Sequence, residues 1–397
     1  MGPLGLNAMQ VQSKTEAASC RGTSRVGFSI YSFLWYVIDN KPCNSRKLEK
    51  VKITETNHKR NTAPTMADVA SRAGVSTMTV SRALKDGASI ATETRDRIMK
   101  AVEELGYVLD QSAGSLSSKR TGFVAALIPS INNSNFADTA RGMTDAFAES
   151  GLQLLLGYTE YSVEKEEQLI EAMLRRRPEG IVVTGGRHTE RGRKLLAQAG
   201  IPVVETWDLP KSPVQHVVGF SNAEATRTMV KYLHGKGYSR IAFIGGSTSR
   251  DTRGADRRAG YEAAVAELGI GPGRVISFGM PPISMQQGGE AVVRLIEQWP
   301  EVEAAVCVSD LSAFGAVMEC QRRSWPVPQR IALAGFGDFE VASCCVPSIT
   351  TIGVHCHEIG NKAGNLLLRA IEGARAGKTL PTETLIIEYQ VIPRESA

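Results

Sequence analysis

The amino-acid sequence predicts an α/β protein, a two-lobed core of doubly wound parallel sheets preceded by an all-α helix-turn-helix headpiece. Three observations carry that prediction. From Gly122 onward, near-continuous apolar runs of strand length alternate with roughly ten to fifteen residues of helical spacing, as parallel strands covered on both faces require. Before them, three short helical patterns, each opened or closed by a capping residue, lie between Thr65 and Gly106. The chain has 397 residues, which at roughly 100 to 200 residues per domain leaves room for two sheets behind a small headpiece.

Residues 1–63 mix Gly, Ser, Thr, Asn and Lys with one aromatic cluster (Phe28, Tyr31, Phe33, Trp35, Tyr36) and show no sustained period, so they are read as a disordered N-terminal extension. The headpiece is placed at 64–109. Thr65 can cap a helix with Asp68 three residues on, and Met66, Val69, Ala70 and Ala73 follow the spacing of one apolar face until Gly74. Ser76 opens a second helix whose Val80, Ala83 and Leu84 point inward, leaving a polar, basic face of Thr77, Met78, Ser81, Arg82 and Lys85. A third helix turns Ile90, Ile98, Ala101, Val102 and Leu105 inward and stops at Gly106. Residues 110–121 form a linker.

The core is placed at 122–397. Its strand candidates are 123–128, 152–156, 180–184, 202–206, 240–244, 275–278, 304–308 and 331–334, with the break between lobes near 217–222. Two such lobes enclose a cleft, and ligands in doubly wound sheets sit beyond the carboxyl ends of the strands.

Hydrophobic residues at 42% and charged residues at 22% exclude a disordered, fibrous or membrane-embedded chain. The formal charge of +5 is unevenly spread: +6 falls in residues 1–63, +1 in 64–120 and −2 in the remainder. The seven cysteines (Cys20, Cys43, Cys307, Cys320, Cys344, Cys345, Cys356) are odd in number and lack CxxC spacing, which points to reduced thiols in a cytoplasmic protein. No P-loop, GxGxxG after the first strand, GxSxG elbow or metal-spaced His and Cys set is present, so neither an enzyme, a cofactor nor a metal is expected.

The start of the second helix is the part that fits a major groove about 12 Å wide. Arg82 can pair with a guanine edge or a phosphate, Ser76, Thr79 and Ser81 can bond phosphates, and Met78 can meet a thymine methyl. The stretch from Met66 to Leu84, continued by 94–98 and 104–107, resembles the headpiece of the lactose and galactose repressor family, and the resemblance runs from residue 64 to about 393. It implies a periplasmic-binding-protein-like core, a double-stranded DNA operator, a homodimer or tetramer, no membrane, and a hinge helix in which Leu116 enters the minor groove as an apolar wedge. Asp110, where the family usually has Asn, puts one backbone contact in doubt, and Gly114 makes the hinge a poorer helix former. The Ser that usually caps the third helix is Ala91, with Thr92 as the replacement.

In the core the resemblance assigns Arg257 to the effector, since a planar guanidinium fork suits a carboxylate or a set of hydroxyls. Ser309 and Asp310 end a strand where the family carries a polar pair, and Asp310 either meets the ligand or only caps the next helix. Asn135 and Phe136 stand at the matching first-lobe position. The family's usual Asp after Gly-Phe is Gly337 here, with Asp338 one place later. The strings 76–82, 188–189, 218–222 and 319–322 are similar to the gluconate repressor branch, and a gluconate-like sugar acid suits a cavity with Arg257 and His188 as donors and Asp310 or Asp338 as acceptor. A solute-binding protein without DNA function, or a regulator that needs its ligand to bind DNA, are the competing readings.

Overall fold

Thr65 and Asp68 close a capping box at the start of α1 (Met66–Ala73): the Thr65 hydroxyl accepts from the Asp68 amide at 3.3 Å, and the Asp68 carboxylate accepts from the Thr65 amide at 2.8 Å. The bonds from the Thr65 hydroxyl and amide hold the Asp68 carboxyl below its usual range. Gly74 ends the helix with φ 67°, a left-handed conformation that favours glycine. Ser76 caps α2 (Thr77–Ala83) through the Thr79 amide at 3.2 Å, and α3 (Thr92–Leu105) ends at Gly106 with φ 62°. Val69, Val80 and Ile98 meet at the centre of this small core with no exposure. One expectation fails here: α3 begins after Ala91 without any side-chain cap bond, and Thr92 is its first helical residue rather than its cap.

The structure is a computed structural model that describes residues 63–84, 90–108, 120–247 and 250–397. Lys85, Asp110, Gly114, Leu116 and the extension 1–62 lie outside the described residues.

The core opens with β1 (Phe123–Ile128), α4 (Ser134–Phe147), β2 (Gln153–Tyr158), α5 (Val163–Leu174), β3 (Ile181–Thr184), α6 (Glu190–Ala197), β4 (Val203–Thr206) and β5 (His216–Gly219). It continues through α7 (Asn222–Gly235), β6 (Ile241–Gly245), α8 (Thr252–Leu268), β7 (Arg274–Ser277), α9 (Met285–Gln298), β8 (Ala304–Cys307), α10 (Asp310–Arg322) and β9 (Ala332–Phe336). It closes with α11 (Glu340–Cys344), β10 (Thr350–Val354), α12 (Cys356–Arg375), β11 (Thr384–Ile386) and β12 (Tyr389–Ile392). One sheet has the order β11-β5-β4-β3-β1-β2 and the other β12-β10-β9-β8-β6-β7, so the two lobes repeat one doubly wound topology. All pairings in the first sheet are parallel, and in the second only β10 with β12 is antiparallel.

The eight strands read from the sequence all exist, within one or two residues at their ends. Four were not read as strands: β5, inside the expected break, and β10, β11 and β12, which are short, threonine-rich or lie near the C-terminus. Their places change the lobe organisation, because β11 returns from the C-terminal region to the first sheet and α12 packs on α4. The chain therefore crosses between lobes beyond β5, beyond β10 and between β11 and β12. The α4–α12 contact needs glycine: a Cβ at Gly142 would lie 2.1 Å from the His357 carbonyl oxygen, and one at Gly360 would lie 1.9 Å from that of Thr139.

Candidate functional site

On α2, Val80 and Ala83 anchor the helix in the headpiece core, which leaves Ser76, Thr77, Met78 and Arg82 exposed and Thr79 and Ser81 half-buried. Met78 is 66% exposed, unusual for a large apolar side chain in a domain this small. The Ser76 and Thr79 hydroxyls hydrogen-bond to each other at 2.9 Å, so the hydroxyl cluster at the helix start is already ordered.

The second constellation lies between the lobes, at the carboxyl ends of the strands, around a cavity of about 50 Å³. The first lobe contributes Asn133, Asn135, Phe136, Tyr161 and Trp207, and the second Asp251, Arg253, Arg257, Ser309, Phe336 and Phe339 among others. Phe136 packs its ring 5.1 Å from Trp207 and 6.4 Å from Tyr161, forming an aromatic wall.

Arg257 enters from α8. Its Nε donates to Asn222 Oδ1 at 2.9 Å and one terminal nitrogen donates to the Val308 carbonyl at 2.7 Å, while the guanidinium stacks 3.6 Å from the centre of the Phe336 ring. Burial pulls its pKa down to about 10, so it stays a cation at neutral pH. Arg253, one turn earlier on the same helix, is buried and lies over the rings of Phe136 and Tyr161 of the opposite lobe, at 5.6 and 5.7 Å. Among the described residues neither arginine takes part in an ion pair. Burial, and then the neighbouring Asp251 carboxylate, push the Tyr161 phenol up to about 12.

The lobes touch each other around this space. Asn135 Nδ2 donates to the Gly337 carbonyl at 3.0 Å, Arg253 reaches the Thr184 carbonyl at 3.4 Å, and Arg187 pairs with Asp256. Asn222 links the halves at the first crossing, donating to the Trp207 carbonyl at 2.9 Å while accepting from Arg257.

Of the effector residues expected from the sequence, Asn135, Phe136, Arg257 and Ser309 line the cavity. The Ser309 hydroxyl also caps α10 through the Ser312 amide at 3.3 Å. Three others are corrected. His188 does not reach the cavity: it is buried inside the first lobe between Glu166, at 2.6 Å, and Glu205, at 3.3 Å. Burial opposes its charge, but the two carboxylates outweigh it and lift its pKa to about 9. Asp310 is fully buried and accepts from the Thr351 hydroxyl at 2.5 Å and the Phe339 amide at 2.8 Å, so it braces the segment after β9 instead of facing a ligand. Burial raises its pKa to about 6. Asp338, with φ 54°, pairs with Arg394 at 2.6 Å and faces a different groove, beside 354–358.

The sequence reading missed Tyr161, Trp207, Asp251 and Arg253. Two signals were available: Arg253 stands four residues before Arg257 on one helix face, and Tyr161 and Trp207 follow the carboxyl ends of β2 and β4, where ligands bind in such sheets. Among the described residues no group of His, Cys, Asp and Glu is arranged to hold a metal, and no helix is long and apolar enough to cross a membrane.

A family model for bacterial regulatory proteins of the lacI family matches residues 65–110, and one for a periplasmic binding protein-like domain matches 230–397. The HTH-type transcriptional regulator GntR of Pseudomonas aeruginosa is 36% identical over 84% of this chain and 95% of its own length. GntR of Escherichia coli K12 is 32% identical over 78% of this chain and 92% of its own length. The solved structure of a lacI-family transcriptional regulator from Silicibacter pomeroyi superposes with a TM-score of 0.77 at 31% identity, covering 84% of this chain and 99% of that one. With a matching headpiece, a matching two-lobed core and relatives that are regulators rather than enzymes, the chain belongs to the lacI family of bacterial DNA-binding transcriptional regulators.

Proposed function

We propose that the chain is a repressor of carbohydrate catabolism genes whose operator affinity is controlled by a gluconate-like sugar acid held between the lobes. The observation that carries the effector reading is the pair Arg253 and Arg257, two enclosed cations without a carboxylate partner among the described residues. A carboxylate can take the fork of Arg257, and sugar hydroxyls can meet Asn135 and Ser309 against the wall of Phe136. The similarity to the gluconate branch in the strings 76–82 and 218–222 supports the same class of ligand.

On the DNA side, the headpiece (64–109) presents Ser76, Thr77, Met78, Thr79, Ser81, Arg82 and Lys85 to a major groove, and the hinge (110–121) inserts Leu116 into the minor groove of a near-palindromic operator bound by a homodimer. Closure of the lobes on the effector changes the subunit contact beneath the hinges, and coupling between such sites typically amounts to about 1–3 kcal/mol. By reciprocity the operator weakens the effector.

The test is a gel-shift titration on a double-stranded fragment that the full-length protein has selected from a random pool. Gluconate, its keto derivative and its phosphate are added in turn. Release of the DNA by one of them is expected; unchanged affinity with all three removes the effector assignment. Tighter binding with any of them reverses the sign and makes the chain a ligand-dependent regulator.

A further inference from the structure

We infer that Asp251 sets the charge class of the effector, admitting a singly charged, hydroxylated acid and rejecting ligands with a second anionic group. The inference deepens the sugar-acid reading of the same cavity and rests on it.

Asp251 stands at the N-cap of α8, where an aspartate ordinarily accepts from the second or third amide of the helix. Here it makes no side-chain cap bond. Its Oδ1 is sealed from solvent and has no hydrogen-bond partner among the described residues, although a carboxylate oxygen in that state is costly. Gly254 leaves the room that the other oxygen occupies: a Cβ there would lie 2.4 Å from Asp251 Oδ2. A carboxylate that makes no helix cap, lines the effector cavity and has one sealed oxygen without a donor is completed by a ligand that brings one. A sugar hydroxyl is such a donor, while a phosphate or second carboxylate brings only acceptors and negative charge.

The charge balance of the wall agrees. Its charged side chains are Arg253, Arg257 and Asp251, a net of one positive charge that one carboxylate neutralises. A second anionic group would face Asp251 in an enclosed space with no third cation on the wall. Like charges brought together where water is excluded repel strongly.

The experiment is calorimetric titration of the full-length protein with gluconate, glucarate, 6-phosphogluconate and glucose. Wild type is expected to bind gluconate at least about tenfold more tightly than each of the others. In Asp251→Asn gluconate affinity should fall about tenfold, the loss expected for a hydrogen bond to a charged group, and the preference over glucarate and 6-phosphogluconate should narrow or reverse. Asp251→Ser should do the same, which guards against a new donor from the asparagine amide. Because Asp251 does not cap α8 and its sealed oxygen has no donor, the unliganded variants should melt no lower than wild type. A wild-type preference for either dianion, or an unchanged preference ratio in both variants, overturns the inference while leaving a sugar-acid effector in place. Binding of none of the acids removes the effector reading and this inference together.

Discussion

Two regions of the core bury charge in opposite ways. Inside the first lobe, His188 lies between Glu166 and Glu205, and Glu205 also accepts from the Val214 amide at 2.5 Å. Between the lobes, Arg253 and Arg257 are held by backbone carbonyls, an asparagine and aromatic faces, with no carboxylate in contact. The first arrangement is complete without a ligand, so its charges serve the fold. The second has two cations to the one carboxylate of Asp251 and no ion pair, and such an excess of buried charge marks a candidate ligand site. Partnering, rather than residue type or burial, is what distinguishes the two groups.

Breaking the first arrangement should have the largest effect on stability. His188→Gln strands two buried carboxylates and is expected to cost about 3–5 kcal/mol in chemical denaturation. The effect should depend on pH. His188 has a folded pKa of about 9 against an ordinary 6.5, so its stabilisation is fully present below about pH 6.5 and is lost as pH rises through 9. The stability gap between wild type and variant should therefore shrink between about pH 6.5 and 9.5, and a gap that widens over this range would contradict the paired charge.

Arg257→Met should give the reverse pattern. Unfolding free energy should fall by only about 1–2 kcal/mol, because the hydrogen bonds lost to Asn222 and the Val308 carbonyl are offset by removal of a buried excess cation. Effector affinity should drop by about 3 kcal/mol, roughly a hundredfold, in calorimetry. A large stability loss without loss of binding would place Arg257 with His188.

Arg82→Ala sharpens the contrast from outside the core. Operator affinity should fall about tenfold to a hundredfold in a gel shift, while effector binding and core melting stay unchanged. The smallest effect belongs to the half-exposed pair across the lobes, Arg187 with Asp256. Asp256→Asn should change stability by less than about 1 kcal/mol and weaken the effector only a few-fold, since exposed ion pairs contribute little.

The headpiece was legible almost residue by residue. Thr65, Asp68, Gly74, Ser76 and Gly106 act through neighbours within one or two helical turns, and short-range chemistry of that kind is written in local order. Where a local rule failed, at Ala91 and Thr92, the helix simply starts without a side-chain cap. In the core the alternation of strands and helices was legible for the same reason, and Arg257 was found through its local string. His188, Asp310 and Asp338 were misplaced because each is claimed by a partner far away in sequence: Glu166, Thr351 and Arg394. Nothing near His188 in the chain distinguishes a ligand donor from the middle of a buried ion cluster.

The sequence by itself determined the class of the protein, the helix-turn-helix with its exposed basic face, the two doubly wound lobes and one cavity arginine. These rest on periodicity, caps and motif strings, whose physical content lies within about ten residues. Only the tertiary structure decided that β11 and α12 return to the first lobe and that Tyr161, Trp207, Asp251 and Arg253 meet between the lobes. It also decided which buried charges are partnered. Burial and pairing are properties of groups brought together by three crossings of the chain, and a pair such as Asn135 and Gly337, 202 positions apart, is made a contact only by the meeting of the two lobes.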